Sequence, residues 1–326
     1  MCIRDRQVTV SERIQIAEET VCLTLVPSMG DELPLAQAGA HIDLYLAPGL
    51  VRQYSLTSCI QPGQYQIAVK LDQNSKGGSA YVHQQLRKDV NLSIGAPRNH
   101  FELQLLPTKA EAEQTVYLCA GGIGITPLLA MAWQLHLADR TFELHVFART
   151  QSAVPFGKDF DTMPFSEKIF THLDNDSETE SSETVLSRMV NTCTESDQLY
   201  LCGPSGFMDL VKRQAIDAGI AESRVFTEHF SAEIDSQGET FTVFAKRSDI
   251  TVEVQPQMSL LEALQAAGIA VPSACKNGVC GSCLLPVLEG KPDHRDLVQT
   301  DLEKSQNKFI TACCSRSHTK KLVLDI

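Results

Sequence analysis

Short apolar runs separated by turn residues fill the first hundred positions of the chain. Five of them have the length and residue content of strands: Val21–Val26, His41–Leu46, Arg52–Thr57, Gln64–Leu71 and Val90–Ile94. One helix is predicted, from Ser79 to about Leu86, directly after Gly77-Gly78. Many strands with a single helix are typical of a small antiparallel β-barrel, which we expect over residues 1–107.

The pattern changes near Thr108, where apolar strands begin to alternate with helical stretches. The predicted elements are Thr115–Ala120, Pro127–Leu137, Phe142–Phe147, Lys168–Thr171, Thr184–Asn191, Gln198–Cys202 and Ser205–Ala218. Val116–Cys119 and Leu199–Leu201 are continuously apolar, as expected of strands that are covered on both faces. Residues 108–230 are therefore predicted to form an α/β domain with a parallel sheet.

Residues 231–239 are polar and show no periodicity, which predicts a linker. A third domain is expected over residues 240–326. It opens with two strands, Phe241–Lys246 and Ile250–Val254, and a helix around Leu260–Ala267, before a cysteine-rich loop. A chain of 326 residues has room for two or three domains.

The net charge of −12 argues against non-specific binding to nucleic acid or anionic lipid. The chain has no apolar run long enough for a transmembrane helix, and its first six residues lack the apolar core of a signal peptide. Eleven cysteines form an odd set, with five crowded into the last fifth of the chain. This distribution favours a reducing, cytoplasmic location and a metal site over a disulfide framework.

The crowded cysteines have the spacing of a plant-type [2Fe–2S] site, C-x4-C-x2-C followed by a distant cysteine. The first three are Cys275, Cys280 and Cys283, and the fourth is either Cys313 or Cys314, between which the spacing does not decide. Glycines at 278 and 281 let backbone N–H groups point at sulfur. A zinc site or a thioredoxin-like Cys280–Cys283 pair explains the spacing less well.

A glycine-rich turn follows the first apolar strand of the predicted α/β domain. Gly121-Gly122-Ile123-Gly124 leads to Thr126, which we expect to cap a helix, and to Pro127 in its first turn. Such a turn can hold a pyrophosphate at the helix N-terminus, although Pro127 stands where the Rossmann pattern has its third glycine. Cys202-Gly203-Pro204 predicts a second loop at the same sheet edge. A plain tight turn and a structural cap are the alternative interpretations.

Arg52-Gln53-Tyr54-Ser55 lies on a predicted barrel strand, where alternation places Arg52 and Tyr54 on one face. A cation, a phenol and a hydroxyl in this arrangement could hold a phosphate and cover a ring system. Gly77-Gly78-Ser79 opens the predicted helix and offers a second phosphate site. Taken singly, each motif is also compatible with an ordinary solvated surface.

In this order, the R-Q-Y-S, G-G-I-G-I-T-P, C-G-P and cysteine motifs resemble those of the phthalate dioxygenase reductase family. The P-R-N-H-F string at Pro97–Phe101 and the D-H-R-D string at Asp293–Asp296 support the resemblance, which runs from about Val8 to Ile326. The family includes the reductases of vanillate O-demethylase and carnitine monooxygenase. The resemblance implies FMN, rather than FAD, in the barrel, NADH in the α/β domain and one [2Fe–2S] cluster in a β-grasp ferredoxin domain.

The resemblance also implies roles for individual residues. The flavin residues are Arg52, Tyr54, Ser55, Lys70, Gly77, Gly78 and Ser79, with Glu228 and Phe230 near the flavin. The nicotinamide nucleotide residues are Gly122, Gly124, Thr126, Cys202, Gly203 and Pro204. The cluster ligands are Cys275, Cys280, Cys283 and Cys313, the last because the family's fourth ligand is followed by x-Ser-Arg. No general base is implied, because the cofactors carry the chemistry.

A nicotinamide gives up two electrons as one hydride, whereas a [2Fe–2S] cluster accepts one electron at a time. A flavin can convert between them because it is stable at three oxidation levels. We therefore expect a monomeric reductase component that passes electrons from NADH to FMN, to the cluster and to a separate Rieske-type terminal oxygenase. The alternatives are a reductase for a haem-thiolate monooxygenase and a redox carrier or sensor that no longer uses nicotinamide.

Two further expectations concern charge. Arg149 could accept a 2′-phosphate, but an acidic stretch near it in sequence favours NADH over NADPH: Asp174, Asp176, Glu178, Glu180 and Glu183. The formal net charge is −1 over residues 1–107, −12 over residues 108–239 and +1 over residues 240–326. A nearly neutral ferredoxin domain predicts electron transfer to the oxygenase that depends only weakly on salt.

Overall fold

The computed structural model describes residues 5–28, 32–58, 61–73, 77–104, 114–174, 181–230 and 237–326. Its chain divides into two compact units, Met1–Glu228 and His229–Ile326. The first unit holds a closed β-barrel and a parallel sheet, and the second holds a mixed sheet with the cysteine-rich loop. The predicted fold class is confirmed.

The barrel contains six strands in the order β1-β2-β5-β4-β3-β6, each antiparallel to its neighbours. The strands are β1 (Arg6–Ala17), β2 (Thr20–Pro27), β3 (His41–Ala47), β4 (Leu50–Ser58), β5 (Tyr65–Lys70) and β6 (Asn91–Ile94), with α1 (Gly78–Gln85) between the last two. Leu23, Ile42, Leu56 and Ile67 fill the interior. The sequence analysis missed β1, because register shifts after Val10 and Gln15 break the apolar alternation that marks a strand.

The parallel sheet has the order β11-β10-β7-β8-β9. Its strands are β7 (Val116–Gly121), β8 (Phe142–Ala148), β9 (Ile169–Leu173), β10 (Gln198–Cys202) and β11 (Val225–Glu228). Its helices are α2 (Ile125–Leu137), α3 (Ser182–Thr192) and α4 (Ser205–Asp217). Helix α2 packs on one face with Leu118 and Tyr200, while α3 and α4 pack on the other with Cys119 and Leu199. Burial on both faces explains the continuously apolar β7 and β10.

The second unit is built on a five-stranded sheet with the order β13-β12-β18-β14-β16. Its strands are β12 (Phe241–Ala245), β13 (Ile250–Val254), β14 (Leu284–Glu289), β15 (Pro292–Asp293), β16 (Phe309–Thr311), β17 (Arg316–Ser317) and β18 (Lys321–Leu324). Helix α5 (Leu260–Ala266) packs into its core, and α6 (Asp301–Gln306) follows β15. A capping box between Ser259 and Glu262 fixes the start of α5.

Several expectations fall on residues outside this description. They are the barrel boundary at 107/108, most of the 231–239 linker, and Asp176, Glu178 and Glu180. The domain boundaries thus stay predictions. Within the described part of the chain, no helix has both the length and the apolar character needed to span a bilayer.

Candidate redox sites

Strand β4 places the predicted flavin residues on its two faces. Arg52 pairs with Leu44 and Tyr54 with Ile42, so both share the face that looks toward the barrel core. Tyr54 packs against that core, and burial raises the pKa of its phenol above the usual range, an effect that Arg52 opposes. The expected common face of Arg52 and Tyr54 is present.

Arg52 lies against the first turn of α1. A Cβ on Gly78 would come within 2.5 Å of Arg52 Cγ and 2.7 Å of its Nε. A side chain at this position would therefore require the arginine side chain to move. Gly77 precedes it with φ 90°, a conformation that glycine adopts at little cost. The fold thus brings the arginine and the Gly77-Gly78 pair together beside the N-terminus of a helix.

Asp43 holds the opposite face of β4 in place. Its carboxylate accepts hydrogen bonds from Arg98 Nη2 at 2.6 and 2.7 Å and from Gln53 Nε2 at 3.1 Å. Backbone hydrogen bonds in both directions join Arg98 to His41 and so attach the segment that contains Arg98 to β3. The sequence analysis gave Asp43 no role, although a lone acid inside an apolar strand was a usable signal.

The second group of residues meets at the carboxyl edge of the parallel sheet. Ser55 Oγ donates to Glu228 Oε2 at 3.4 Å, and Glu228 lies beside Cys202 in the pairing of β10 with β11. Burial raises the pKa of Glu228 to about 8, against the opposing effect of the Ser55 hydrogen bond. Burial, followed by the nearby Glu228, raises the pKa of the Cys202 thiol. Glu228 is therefore mostly protonated at neutral pH and can donate a hydrogen bond.

The two glycine loops at this edge pack against each other. A Cβ on Gly124 would lie 2.0 Å from Cys202 O, and one on Gly203 would lie 2.8 Å from Gly121 Cα. Close approach of protein backbone thus accounts for these glycines. Gly122 differs, because it has φ 55° and open space where its Cβ would be. It is the position in this loop with space for a ligand.

Thr126 does not cap α2 as expected. The helix begins at Ile125 after Gly124, and no side chain caps it. Thr126 is buried in the first turn, where its Oγ1 donates to Ile123 O at 3.1 Å. The expectation was wrong because Ile123 and Gly124 form a 3-10 turn that starts the helical path earlier. Pro127 does lie in the first turn, where its missing N–H costs nothing.

The three remaining predicted flavin residues are Lys70, Ser79 and Phe230. Lys70 is exposed at the end of β5, the neighbour of β4 in the barrel. Ser79 Oγ accepts the N–H of Asp72 at 3.1 Å and so shapes the loop after β5. Phe230 belongs to the second compact unit and is 38% exposed.

The four predicted cluster cysteines lie close together in the second unit. Cys275 contacts Cys280 and Cys313, and Cys313 also contacts Cys283. The N–H groups of Asn277 and Gly278 donate to Cys275 Sγ at 3.2 Å and to Cys313 Sγ at 3.3 Å. Among the described residues no group of three or more His, Cys, Asp or Glu side chains is arranged to hold a single metal ion, although Cys275 and Cys313 each contact two of the other predicted ligands.

These contacts fit a two-iron cluster, in which each iron takes two thiolates. Contact with Cys275, followed by burial, raises the pKa of the Cys280 thiol. Contact with Cys313 instead lowers the pKa of the Cys283 thiol. A positive metal centre would stabilise all four cysteines as thiolates. Cys313 contacts Cys275, Cys283 and its neighbour Cys314, whose buried thiol also lies 3.8 Å from Thr311 O.

Comparison with known proteins agrees with this geometry. Residues 243–318 match the 2Fe-2S iron-sulfur cluster binding domain. The chain is 41% identical over 315 residues to the vanillate O-demethylase oxidoreductase of Acinetobacter baylyi, covering 96% of both chains. The solved structure of phthalate dioxygenase reductase, described as modular for electron transfer from pyridine nucleotides to [2Fe–2S], superposes with a TM-score of 0.77. That match has 30% identity and covers 99% of this chain and 98% of the other.

The chain belongs to the phthalate dioxygenase reductase family. As a member it is an oxidoreductase that moves electrons from NAD(P)H through a flavin and a [2Fe–2S] cluster. The same architecture also forms part of a larger protein. An intact type IV self-sufficient cytochrome P450 monooxygenase matches 99% of this chain with 34% identity and a TM-score of 0.78, but the match covers only 41% of that chain.

Proposed function

We propose that the protein is the cytoplasmic, monomeric reductase component of a two-component oxygenase system. Electrons pass from NADH through FMN and the [2Fe–2S] cluster to a separate Rieske-type terminal oxygenase. The observation that carries the proposal is the match to a vanillate O-demethylase oxidoreductase across 96% of both chains. A match of this length spans all the segments to which we assign the flavin, the nucleotide and the cluster. The free thiols of all nine described cysteines support a reducing compartment.

The residue roles in this proposal follow the groups described above. The flavin would be held by Arg52, Tyr54, Ser55, Lys70, Gly77, Gly78 and Ser79, near Glu228 and Phe230. The nucleotide would be held by Gly122, Gly124, Thr126, Cys202, Gly203 and Pro204, and the cluster by Cys275, Cys280, Cys283 and Cys313. Thr126 would act by shaping the loop, since its hydroxyl donates to Ile123 O.

The choice of FMN rests on the first turn of α1. One arginine and one glycine pair meet there, which suits a single phosphate group. An FAD would add a second phosphate and an adenosine. Heat release of the flavin followed by mass measurement tests this choice. We expect FMN in a ratio of about one per chain, and recovery of FAD would refute it.

The choice of NADH rests on the edge formed by β8 and β9. The N–H of Asp174 donates to Ala148 O at 3.0 Å, so this acid lies beside the exposed Arg149. An acid near the 2′ position favours a ribose hydroxyl over a phosphate. Anaerobic titration should bleach the visible spectrum with NADH. A kcat/KM for NADPH equal to that for NADH would refute the preference, and absence of bleaching with either would favour a carrier or sensor.

The choice of a Rieske-type partner is tested by electron delivery. The reduced protein is mixed anaerobically with a purified Rieske-type oxygenase, and the spectrum of the acceptor is followed. A haem-thiolate monooxygenase is the second candidate, because this architecture occurs within a self-sufficient cytochrome P450. Fast reduction of the Rieske centre and slow reduction of a haem-thiolate acceptor are expected. The reverse order would favour the second candidate.

A further inference from the structure

A buried carboxylate organises the segment that precedes α6. We call residues 293–300 the clasp segment; it begins with the D-H-R-D string and ends at the N-cap of α6. Asp296 is 1% exposed. Its Oδ2 accepts the N–H groups of Val298 at 3.2 Å and Gln299 at 2.8 Å, and its Oδ1 accepts Gln299 Nε2 at 3.2 Å and Ser315 Oγ at 3.4 Å. This one side chain therefore fixes the backbone path of the segment.

The carboxylate has little direct charge compensation. His294 Nδ1 lies 4.0 Å from Oδ1, and Lys304 Nζ donates to the backbone carbonyl of Asp296 rather than to its side chain. A buried anion held mainly by neutral donors contributes little net stability, because desolvation offsets most of the gain from hydrogen bonding. Its structural effect is to select one conformation of the surrounding backbone.

The clasp segment touches the cysteine loop at two points. The N–H of Leu297 donates to Gly278 O at 2.9 Å. A Cβ on Gly281 would meet Val298 Cγ1 at 3.1 Å, so the Val298 side chain packs against Gly281. Both contacts come from residues that directly follow Asp296 in the chain. The position of the cysteine loop thus depends on the path that Asp296 sets.

Gly278 links this contact to a cluster ligand. Its carbonyl accepts the Leu297 N–H, while its own N–H donates to Cys313 Sγ at 3.3 Å. Hydrogen bonds to cluster sulfurs stabilise the added negative charge of the reduced state and so raise the reduction potential. A shift of Gly278 by a few tenths of an ångström would weaken this bond.

We propose that Asp296 is a positioning residue that sets the reduction potential of the cluster by aiming the Gly278 N–H at Cys313 Sγ. The inference rests on the cluster being held by Cys275, Cys280, Cys283 and Cys313. Asp296 acts through the clasp segment and does not itself touch the reacting atoms. The proposal does not require the negative charge of Asp296 to act directly on the reduction potential.

Two substitutions at Asp296 separate positioning from charge. Asp296→Asn removes the negative charge but keeps a carbonyl oxygen that can accept the Val298 and Gln299 N–H groups. Asp296→Ala removes the charge and every acceptor. A purely electrostatic effect would raise the potential equally in both variants. Positioning requires the Ala variant to have a lower potential than the Asn variant, because only the Ala variant frees Gly278.

The experiment uses the full-length protein loaded with flavin and cluster. Anaerobic redox titration followed by EPR gives the cluster potential, and hydrogen exchange measured on the peptide that contains Gly278 reports the N–H···S bond. We expect the Ala variant to titrate at a lower potential than the Asn variant and to exchange faster. Chelators should remove its cluster roughly tenfold faster than from the wild type. The control, Asp301→Asn, removes an exposed acid of α6 and should match the wild type.

Ser315→Ala provides a milder variant if Asp296→Ala holds no cluster, since it deletes one donor to Asp296 and the acceptor of the Arg295 N–H. It should lower the potential and speed exchange at Gly278. Equal potentials for the two Asp296 variants, or unchanged exchange in Ser315→Ala, would overturn the inference. A wild-type protein without a [2Fe–2S] spectrum would refute the proposed function instead.

Discussion

The glycine loops of the first unit and the cysteine loop of the second unit are held in place in different ways. Gly124 and Gly203 pack against backbone atoms of the opposing loop, so protein contacts alone define the nucleotide edge. The cysteine loop instead brings thiols into contact with one another, an arrangement that a bound metal would stabilise. The comparison indicates a preformed site in the first unit and a metal-dependent site in the second.

The largest expected effect comes from breaking the metal-dependent site. Cys283→Ser should abolish the cluster spectrum and lower the unfolding temperature of residues 229–326, because metal binding is coupled to folding. Flavin content and NADH-dependent flavin bleaching in the first unit should persist. Absorption spectroscopy measures the cluster, the flavin and its bleaching, and calorimetry measures the unfolding temperature.

Cys314→Ser is the matched control, because it removes the neighbouring buried thiol that lies toward Thr311. It should retain the cluster. Loss of the cluster in this variant, together with retention in Cys313→Ser, would show that the fourth ligand had been assigned to the wrong residue.

A smaller effect is expected from breaking the preformed site. Gly124→Ala should destabilise the first unit by about 3 kcal/mol or more, because the new Cβ would lie 2.0 Å from Cys202 O. NADH binding should weaken as well. Chemical denaturation followed by flavin release measures the stability.

Gly206→Ala is the control for this substitution, since no atom lies within 4 Å of the new Cβ and the site is in α4. It should be neutral or stabilising by about 0.5–1 kcal/mol. Equal stability of Gly124→Ala and Gly206→Ala would contradict the preformed edge.

The stability of the first unit should depend on pH, and this dependence further distinguishes the two units. The pKa of Glu228 is about 8 in the folded protein and about 4.5 for an unburied glutamate, so its neutral form favours folding. The corresponding stability is complete below about pH 4.5 and is lost as the pH rises through about 8. The loss is bounded by about 1.4 kcal/mol for each unit of pKa shift. Glu228→Gln should flatten this slope between pH 5 and 9, whereas Glu222→Gln, at an exposed site, should leave it unchanged.

The smallest effect concerns how charge is divided between the regions. Residues 108–239 carry a net charge of −12, whereas residues 240–326 carry +1. The rate of electron transfer to the oxygenase should therefore change little, by less than about threefold, between low and physiological salt. Stopped-flow measurements at several salt concentrations test this. A steep fall would show that a local charged patch outweighs the net charge.

The sequence was informative where a local pattern determines structure. The apolar runs of β7 and β10 and the cysteine spacing are visible without a fold, because burial on both faces and cluster geometry constrain adjacent residues. The residues that position the site side chains from a distance could not be found from a local sequence pattern. Asp43 and Arg98 are 55 positions apart, and Asp296 and Ser315 are 19 apart. Their roles depend on contacts that exist only after folding.

Thr126 shows the limit of pattern alone. Its residue type suits a helix cap, but the preceding Gly122–Gly124 turn moves the helix start two residues earlier, from Pro127 to Ile125, and places the hydroxyl inside the first turn. The glycines of the same loop were interpreted as leaving room for a phosphate. Gly124 is also required by the close approach of Cys202, which lies on a strand far away in sequence.

The contact between the two glycine loops also limits how the enzyme can be altered. Gly124 and Gly203 each lie too close to backbone atoms of the other loop to accept a side chain, so neither position can be changed alone without loss of the edge. Engineering or natural drift in coenzyme preference must therefore occur elsewhere. The exposed Arg149 and Thr150, which follow β8, are free of this constraint, and we expect such variation there.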